Sequence, residues 1–180
     1  LYRKDSWAAL RTGLSAALNG DGSYLLSYAD QYAQRTPDGY HGNGNEAILA
    51  VNCLDRPDVR SVADAEKELP DYEKASPRFG KFILWGALAC AYWPVSVQNE
   101  PHKVSAPGAP PILVVGTSRD PATIVEWSHD LAAQLSSGVL LTRDGDGHTA
   151  YGDNKCVDSA IETYLVDGKT PEDGLNCPNE

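Results

Sequence analysis

Apolar positions recur at helical spacing over the first third of the chain. Trp7, Leu10, Leu14 and Leu18 fall three or four residues apart, with Asp5 or Ser6 placed to cap a helix and Asn19-Gly20-Asp21-Gly22 to end it. Residues 23–34 predict a second helix with Tyr24, Leu25, Tyr28 and Tyr32 on one side. Residues 36–45, rich in Gly and Asn and containing Pro37, predict a loop. Residues 47–54 fit a short strand or the start of a helix, and periodicity does not decide between them. Residues 59–69 are charged and amphipathic and predict a surface helix ended by Pro70. The apolar run 82–93 is broken only by Gly86; it is about half of the roughly 20 residues a membrane helix needs, and predicts a buried helix or strand.

After a Pro-rich linker at residues 94–111 the pattern changes. Residues 112–115 (Ile-Leu-Val-Val) form the compact run expected of a strand buried on both faces of a parallel sheet. A helix over 123–135 comes next, with Ile124, Trp127, Leu131 and Leu135 predicted to face inward, then a strand over 138–142 and a last helix over 156–165. The order is a β-α-β unit plus a helix, the grammar of an open α/β sheet. Two parallel strands cannot cover their own edges, so further strands are expected upstream and the chain reads as part of a domain.

Composition narrows the choices. The net charge of −10 leaves no basic face to neutralise phosphates, which argues against a nucleic-acid partner. No signal peptide is read at Leu1-Tyr2-Arg3-Lys4, and the absence of methionine suggests a processed or truncated product. Cys53, Cys90, Cys156 and Cys177 include no C-x-x-C pair; an even count fits two disulfides and an oxidising compartment, with three pairings open. The four histidines show no H-x-x-x-H spacing, so neither a metal nor another cofactor is expected.

The chemistry falls at the carboxyl ends of the two predicted strands, where ligands and catalytic groups gather in parallel sheets. The first is succeeded by Gly116-Thr117-Ser118-Arg119-Asp120-Pro121, the second by Asp144-Gly145-Asp146-Gly147-His148. A hydrolase triad needs such a carboxylate and imidazole on neighbouring strand ends, and the order Asp120 then His148 matches the α/β-hydrolase order Ser, Asp, His. Taken singly, Asp120 would also serve as a helix cap and His148 as an ordinary loop residue.

The chain also resembles the secreted tripeptidyl aminopeptidases and related proteases of Streptomyces and mycobacteria, whose C-terminal region is called TAP-like. The resemblance rests on Gly116-Thr117, Asp120-Pro121-Ala122-Thr123 and Gly147-His148-Thr149, then Cys156-Val157, Tyr164-Leu165-Val166-Asp167-Gly168 and Cys177-Pro178. Upstream, Ser6-Trp7, Gly20-Asp21-Gly22, Ala29-Asp30, Ala47-Ile48 and Cys53-Leu54-Asp55 extend it over most of the chain. It implies the C-terminal portion of an α/β-hydrolase fold (residues 106–180) preceded by a mostly helical cap (residues 1–105). It also implies an exported or cell-envelope serine hydrolase that removes short peptides from free N-termini, or a close relative with endopeptidase or esterase activity. Asp120 would be the triad acid and His148 the general base. Cys156–Cys177 would tie the last helix to the tail, and Cys53–Cys90 would brace the cap. Carboxylates that hold a substrate ammonium would come from Asp30, Glu46 and Asp55.

One part of the pattern is missing. None of Ser15, Ser23, Ser118 and Ser128 has the flanking glycines of G-x-S-x-G, and no oxyanion-hole loop is found. The expectation is that the nucleophile lies in an N-terminal part of the same hydrolase, that this part is the chain's partner, and that residues 1–180 alone are inactive. An esterase or lipase of the same fold and a non-catalytic secreted module are the competing readings.

Overall fold

The computed structural model describes residues 2–55, 61–95, 97 and 101–179. Its contacts divide the chain into two units, Leu1–Leu25 with Lys103–Glu180 and Leu26–His102. Leu1, the first residue of the segment read for a leader, lies outside the described residues, as do Val59 and Arg60 of one predicted helix and part of the linker.

A 3-10 turn at Lys4–Ser6 runs directly into α1 (Trp7–Leu18). Ser6 holds the capping position in helical geometry (φ −81°, ψ −10°), so its hydroxyl turns to Asp5 instead of the helix amides, and no side chain caps α1. Only Gly13 of this helix is buried; Leu14 and Leu18 face solvent. α2 (Ser23–Tyr32) is entered through Asp21, whose carboxylate accepts from the Ser23 N–H at 3.0 Å. The predicted loop at 36–45 is instead a tight hairpin of β1 (Arg35–Thr36) and β2 (Gly39–Tyr40), with Pro37-Asp38 as its turn. α3 then begins at Gly44 and runs to Asp55, which resolves the ambiguity over 47–54 in favour of helix.

Pro70 does not end its helix. α4 spans Val62–Ala75, started by Ser61, whose hydroxyl oxygen accepts from the Asp64 N–H at 3.1 Å. A proline inside a helix costs about 3 kcal/mol. Here Leu69 and Tyr72, on either side of it, pack on the buried pair Ala65 and Leu84, so tertiary contact holds both halves in line. Leu84 belongs to α5 (Gly80–Ala87). The run 82–93 is helical but not buried as a whole: successive residues turn by about 100°. Leu84 therefore meets α4 while Phe82, Ile83 and Tyr92 stay exposed. Cys53 of α3 is bonded to Cys90 in the 3-10 turn Leu88–Tyr92.

The second half forms the sheet. β3 (Ile112–Arg119) and β4 (Gly138–Asp146) pair in parallel and run four residues past their predicted ends, so most of the two expected loops is strand. α6 (Val125–Gln134) connects them. Its inward face is Val125, Ser128, Ala132 and then Leu135, one residue round from the face predicted; Ile124, Trp127 and Leu131 are largely exposed. The reason is visible at two glycines. A Cβ on Gly116 would meet the Ser128 side chain, and one on Gly138 would strike the Ala132 backbone, so small residues bring α6 down on that side.

α7 (Lys155–Asp167) is capped by Asn154, whose side-chain oxygen accepts from the Val157 N–H at 3.1 Å. Its Nδ2 donates to the Pro178 carbonyl at 2.8 Å, close to where Cys156 is bonded to Cys177. Cys177 lies in β5 (Leu175–Cys177), a third parallel strand on β4 that was not anticipated, being only three residues long. The core joins Leu141, Ala150, Val157 and Cys177, with Leu113, Val115 and Ile161 around them. Among the described residues no helix is long and apolar enough to cross a membrane.

Cys156–Cys177 spans 21 residues and lies in this core. Replacing both cysteines by serine should lower stability by roughly 2–4 kcal/mol. Denaturant melts check this, and a loss well under about 1 kcal/mol would show that Asn154 and strand pairing hold the tail without the crosslink.

Candidate active site

β3 and β4 are in step from Ile112↔Gly138 to Thr117↔Arg143, and then the register slips: Arg119 lies opposite Asp146. β4 thus carries one extra residue at its end, a bulge of the kind that re-aims the side chains beyond it. Ser118 fills it, its oxygen accepting from the Gly145 N–H at 3.1 Å while its hydroxyl faces Asp144 at 3.3 Å. Arg119 closes the outer side with Asp144 and Asp146. Ser118 is therefore committed to the sheet.

Asp120 comes directly after β3 and is buried. Its Oδ1 accepts from the N–H groups of Ala122 (2.8 Å) and Thr123 (2.9 Å); its Oδ2 accepts from the Thr123 hydroxyl (3.0 Å) and the Thr149 N–H (3.1 Å). His148 Nδ1 lies 2.9 Å from Oδ2 and 3.0 Å from Oδ1. Burial pushes the carboxyl pKa up. The hydrogen bonds from Thr123, Ala122, His148 and Thr149 outweigh it and hold the group well below the usual carboxylate range. An ionised carboxylate only accepts, so Nδ1 carries the proton, and in the neutral ring Nε2 is the free base.

The imidazole side chain is 32% exposed against 3% for Asp120, so the ring is open to solvent and the carboxylate is not. The His148 N–H donates to the Tyr2 carbonyl at 2.8 Å, and the Tyr2 ring meets the imidazole edge-on with centroids 5.0 Å apart. Tyr2, Arg3, Lys4 and Asp5 form one wall of an open cleft of about 610 Å³; Arg143, His148, Thr149 and Tyr151 are on the other. Nothing in the chain pattern pointed to Tyr2. Its signal was only an aromatic residue ahead of the first helix.

The other candidates are dispersed. Asp30 is held by Arg35, with Nε 2.8 Å away. Glu46 is in the first turn of α3 and lines a separate cavity with Tyr32, Gln34, Tyr40 and His41. Asp55 is at the far end of the same helix, nine residues and therefore about 13 Å along its axis from Glu46. These two do not converge on one ligand. Among the described residues no three His, Cys, Asp or Glu side chains gather as metal ligands.

A parallel sheet that ends in a buried carboxylate bonded to an accessible imidazole, in that chain order, defines the class: the C-terminal portion of an α/β hydrolase. Residues 76–177 match the model of the TAP-like protein family, and the chain belongs to that family. Over 98% of its length it is 39% identical to serine protease Hip1 of Mycobacterium tuberculosis and 37% identical to carboxylesterase B of the same species. It is 27% identical, again over 98%, to a tripeptidyl aminopeptidase of Streptomyces lividans. The chain spans about a third of the length of these relatives, 35%, 35% and 33% respectively.

The depressed pKa of Asp120 has a consequence for stability. A carboxyl held below its ordinary 3.8 when folded adds stability that is complete above that range and is lost as pH falls through its folded value. Asp120→Asn removes this contribution. The stability gap between wild type and variant should be widest near neutral pH and narrow below about pH 4. Denaturant melts at several pH values measure it. A gap independent of pH would mean that the Asp120 pKa is the same folded and unfolded, and a gap that shrinks as pH rises through the carboxylate range would mean that Asp120 is protonated in the fold.

Proposed function

We propose that Asp120 and His148 are the acid and general base of a serine-hydrolase triad. We propose further that the complete protein is a secreted or cell-envelope peptidase of the tripeptidyl aminopeptidase type. The observation that carries the reading is the His148 Nδ1–Asp120 contact with the ring open to a cleft. In such a triad Nε2 takes the proton of the serine hydroxyl as its oxygen attacks the substrate carbonyl. Asp120 stabilises the imidazolium, and the proton then passes to the leaving amine. The serine and oxyanion hole would lie outside these 180 residues, so the chain alone is inactive. Residues 1–105 are assigned as the cap and 106–180 as the hydrolase segment. Peptides with a free N-terminus are the expected substrates, their ammonium held by Glu46, Asp30 or Asp55. Of these Glu46 is favoured, because it lines a cavity and Asp30 already has Arg35. The two disulfides fit an oxidising compartment.

An esterase is the second reading, supported by a carboxylesterase and a serine protease standing at 37% and 39% identity. Comparing tripeptide anilides with p-nitrophenyl esters on the complete enzyme separates the two, and loss of anilide cleavage on blocking the peptide amine marks an aminopeptidase.

In either reading His148→Ala should abolish turnover with folding largely intact. Asp120→Asn should lose about 10⁴-fold in kcat, through the wrong imidazole tautomer. Steady-state assays on folded protein test both; wild-type kcat in either variant rules out the triad.

A further inference from the structure

The backbone beside His148 is held in a conformation its sequence does not favour. Thr149 has φ +70°, in the left-handed region that β-branched residues avoid. Such a residue persists where its peptide groups are fixed from outside. The Thr149 N–H donates to Asp120 Oδ2 at 3.1 Å. Its carbonyl accepts from the Thr117 hydroxyl at 2.8 Å and from Arg143 Nη1 at 3.3 Å. Arg143 divides its guanidinium between this carbonyl and Asp153, so the short bond from Thr117 is the firmer tether.

Thr117 is in β3, 2% exposed, and its own carbonyl accepts from the Asp120 N–H at 3.3 Å. One residue therefore reaches both halves of the pair: the backbone of the acid and, through its side chain, the loop of the base. The N–H and the carbonyl belong to the two peptide groups that flank the Thr149 Cα, so fixing the carbonyl limits the φ/ψ rotation by which the N–H, and with it the adjoining His148, would turn away from Asp120.

We infer that Thr117 is a positioning residue for the hydrolytic reaction, its hydroxyl fixing the Thr149 carbonyl so that the His148 ring stays aligned with Asp120. The inference rests on the proposed role of His148 as general base. It concerns alignment, so it affects the step in which the serine is activated more than the binding of substrate.

The test uses the complete enzyme, with active sites counted by fluorophosphonate labelling. Thr117→Ala is compared with Thr117→Ser, which keeps the hydroxyl and drops only the methyl group. Per titrated site, Thr117→Ala should lose roughly ten- to a hundredfold in kcat, the scale expected of slight misplacement of a catalytic group. KM should stay nearly unchanged, and Thr117→Ser should recover most of the rate. A purely structural role would reduce the number of titrated sites and leave kcat per site intact; that result overturns the inference, as does Thr117→Ser being as slow as Thr117→Ala. If Thr117→Ala does not fold, Thr117→Val keeps the volume and is held to the same two outcomes. His148→Ala in the same assay keeps the failures apart. An inactive His148→Ala beside a normal Thr117→Ala overturns the positioning role alone, and an active His148→Ala overturns the proposed function as well.

Discussion

A charge buried beside a sheet has to be surrounded by donors, and Asp120 imposes that condition on everything near it. Leaving water costs a carboxylate far more than a single hydrogen bond returns, so the group stays ionised only if its lone pairs are met from several directions. Five donor groups do this, from Ala122, Thr123, His148 and Thr149. Two are amides of the chain leaving β3, which must double back around the carboxylate. α6 begins only at Val125, because Ile124 before it lies outside helical geometry (φ −59°, ψ 143°). The donors from His148 and Thr149 require β4 to deliver its loop to the same point, and the bulge at its end is the device that does so.

Much of this was legible in the sequence because it is written in local pattern. The β-branched run at 112–115, the small-residue turns and a carboxylate and imidazole placed just after two strands are all one-dimensional signals. The strand lengths were not, because Thr117, Ser118 and Arg119 look like loop residues until cross-strand partners for them exist. Ser118 satisfies the bulge and Arg119 bridges Asp144 and Asp146, contacts separated by more than 20 residues. The face of α6 was misread by one position for a related reason. Hydrophobicity favoured Ile124, Trp127 and Leu131, whereas close approach at Gly116 and Gly138 selects the smaller Ser128 and Ala132. Pro70 shows the same limit: local propensity says stop, and packing on Leu84 overrides it.

The far end of the domain segment is fastened twice. Asn154 caps α7 and holds the Pro178 carbonyl, and Cys156 is linked to Cys177 in β5. Both attachments lie beyond the His148 loop, at the start of α7. The loop is thus pinned between a strand paired on both sides and a helix whose first turn is fixed to the tail. That matters for a residue such as Thr149, whose left-handed backbone costs on the order of 1–3 kcal/mol and would relax if either flank could move.

Asp120 and His148 therefore form a single mechanical unit. Asp120 Oδ2 is shared by the His148 ring and the Thr149 amide, so whatever removes that acceptor releases the ring and its backbone together. An asparagine at 120 does more than change a tautomer. If its Nδ2 takes the place of Oδ2, it turns a donor toward the Thr149 N–H. If it flips, it turns a donor toward the amides of Ala122 and Thr123. Either orientation leaves a buried donor unmet. In the proposed triad the reaction and the local fold would draw on the same few hydrogen bonds, and Thr117, which holds the Thr149 carbonyl, is one of the residues that make them.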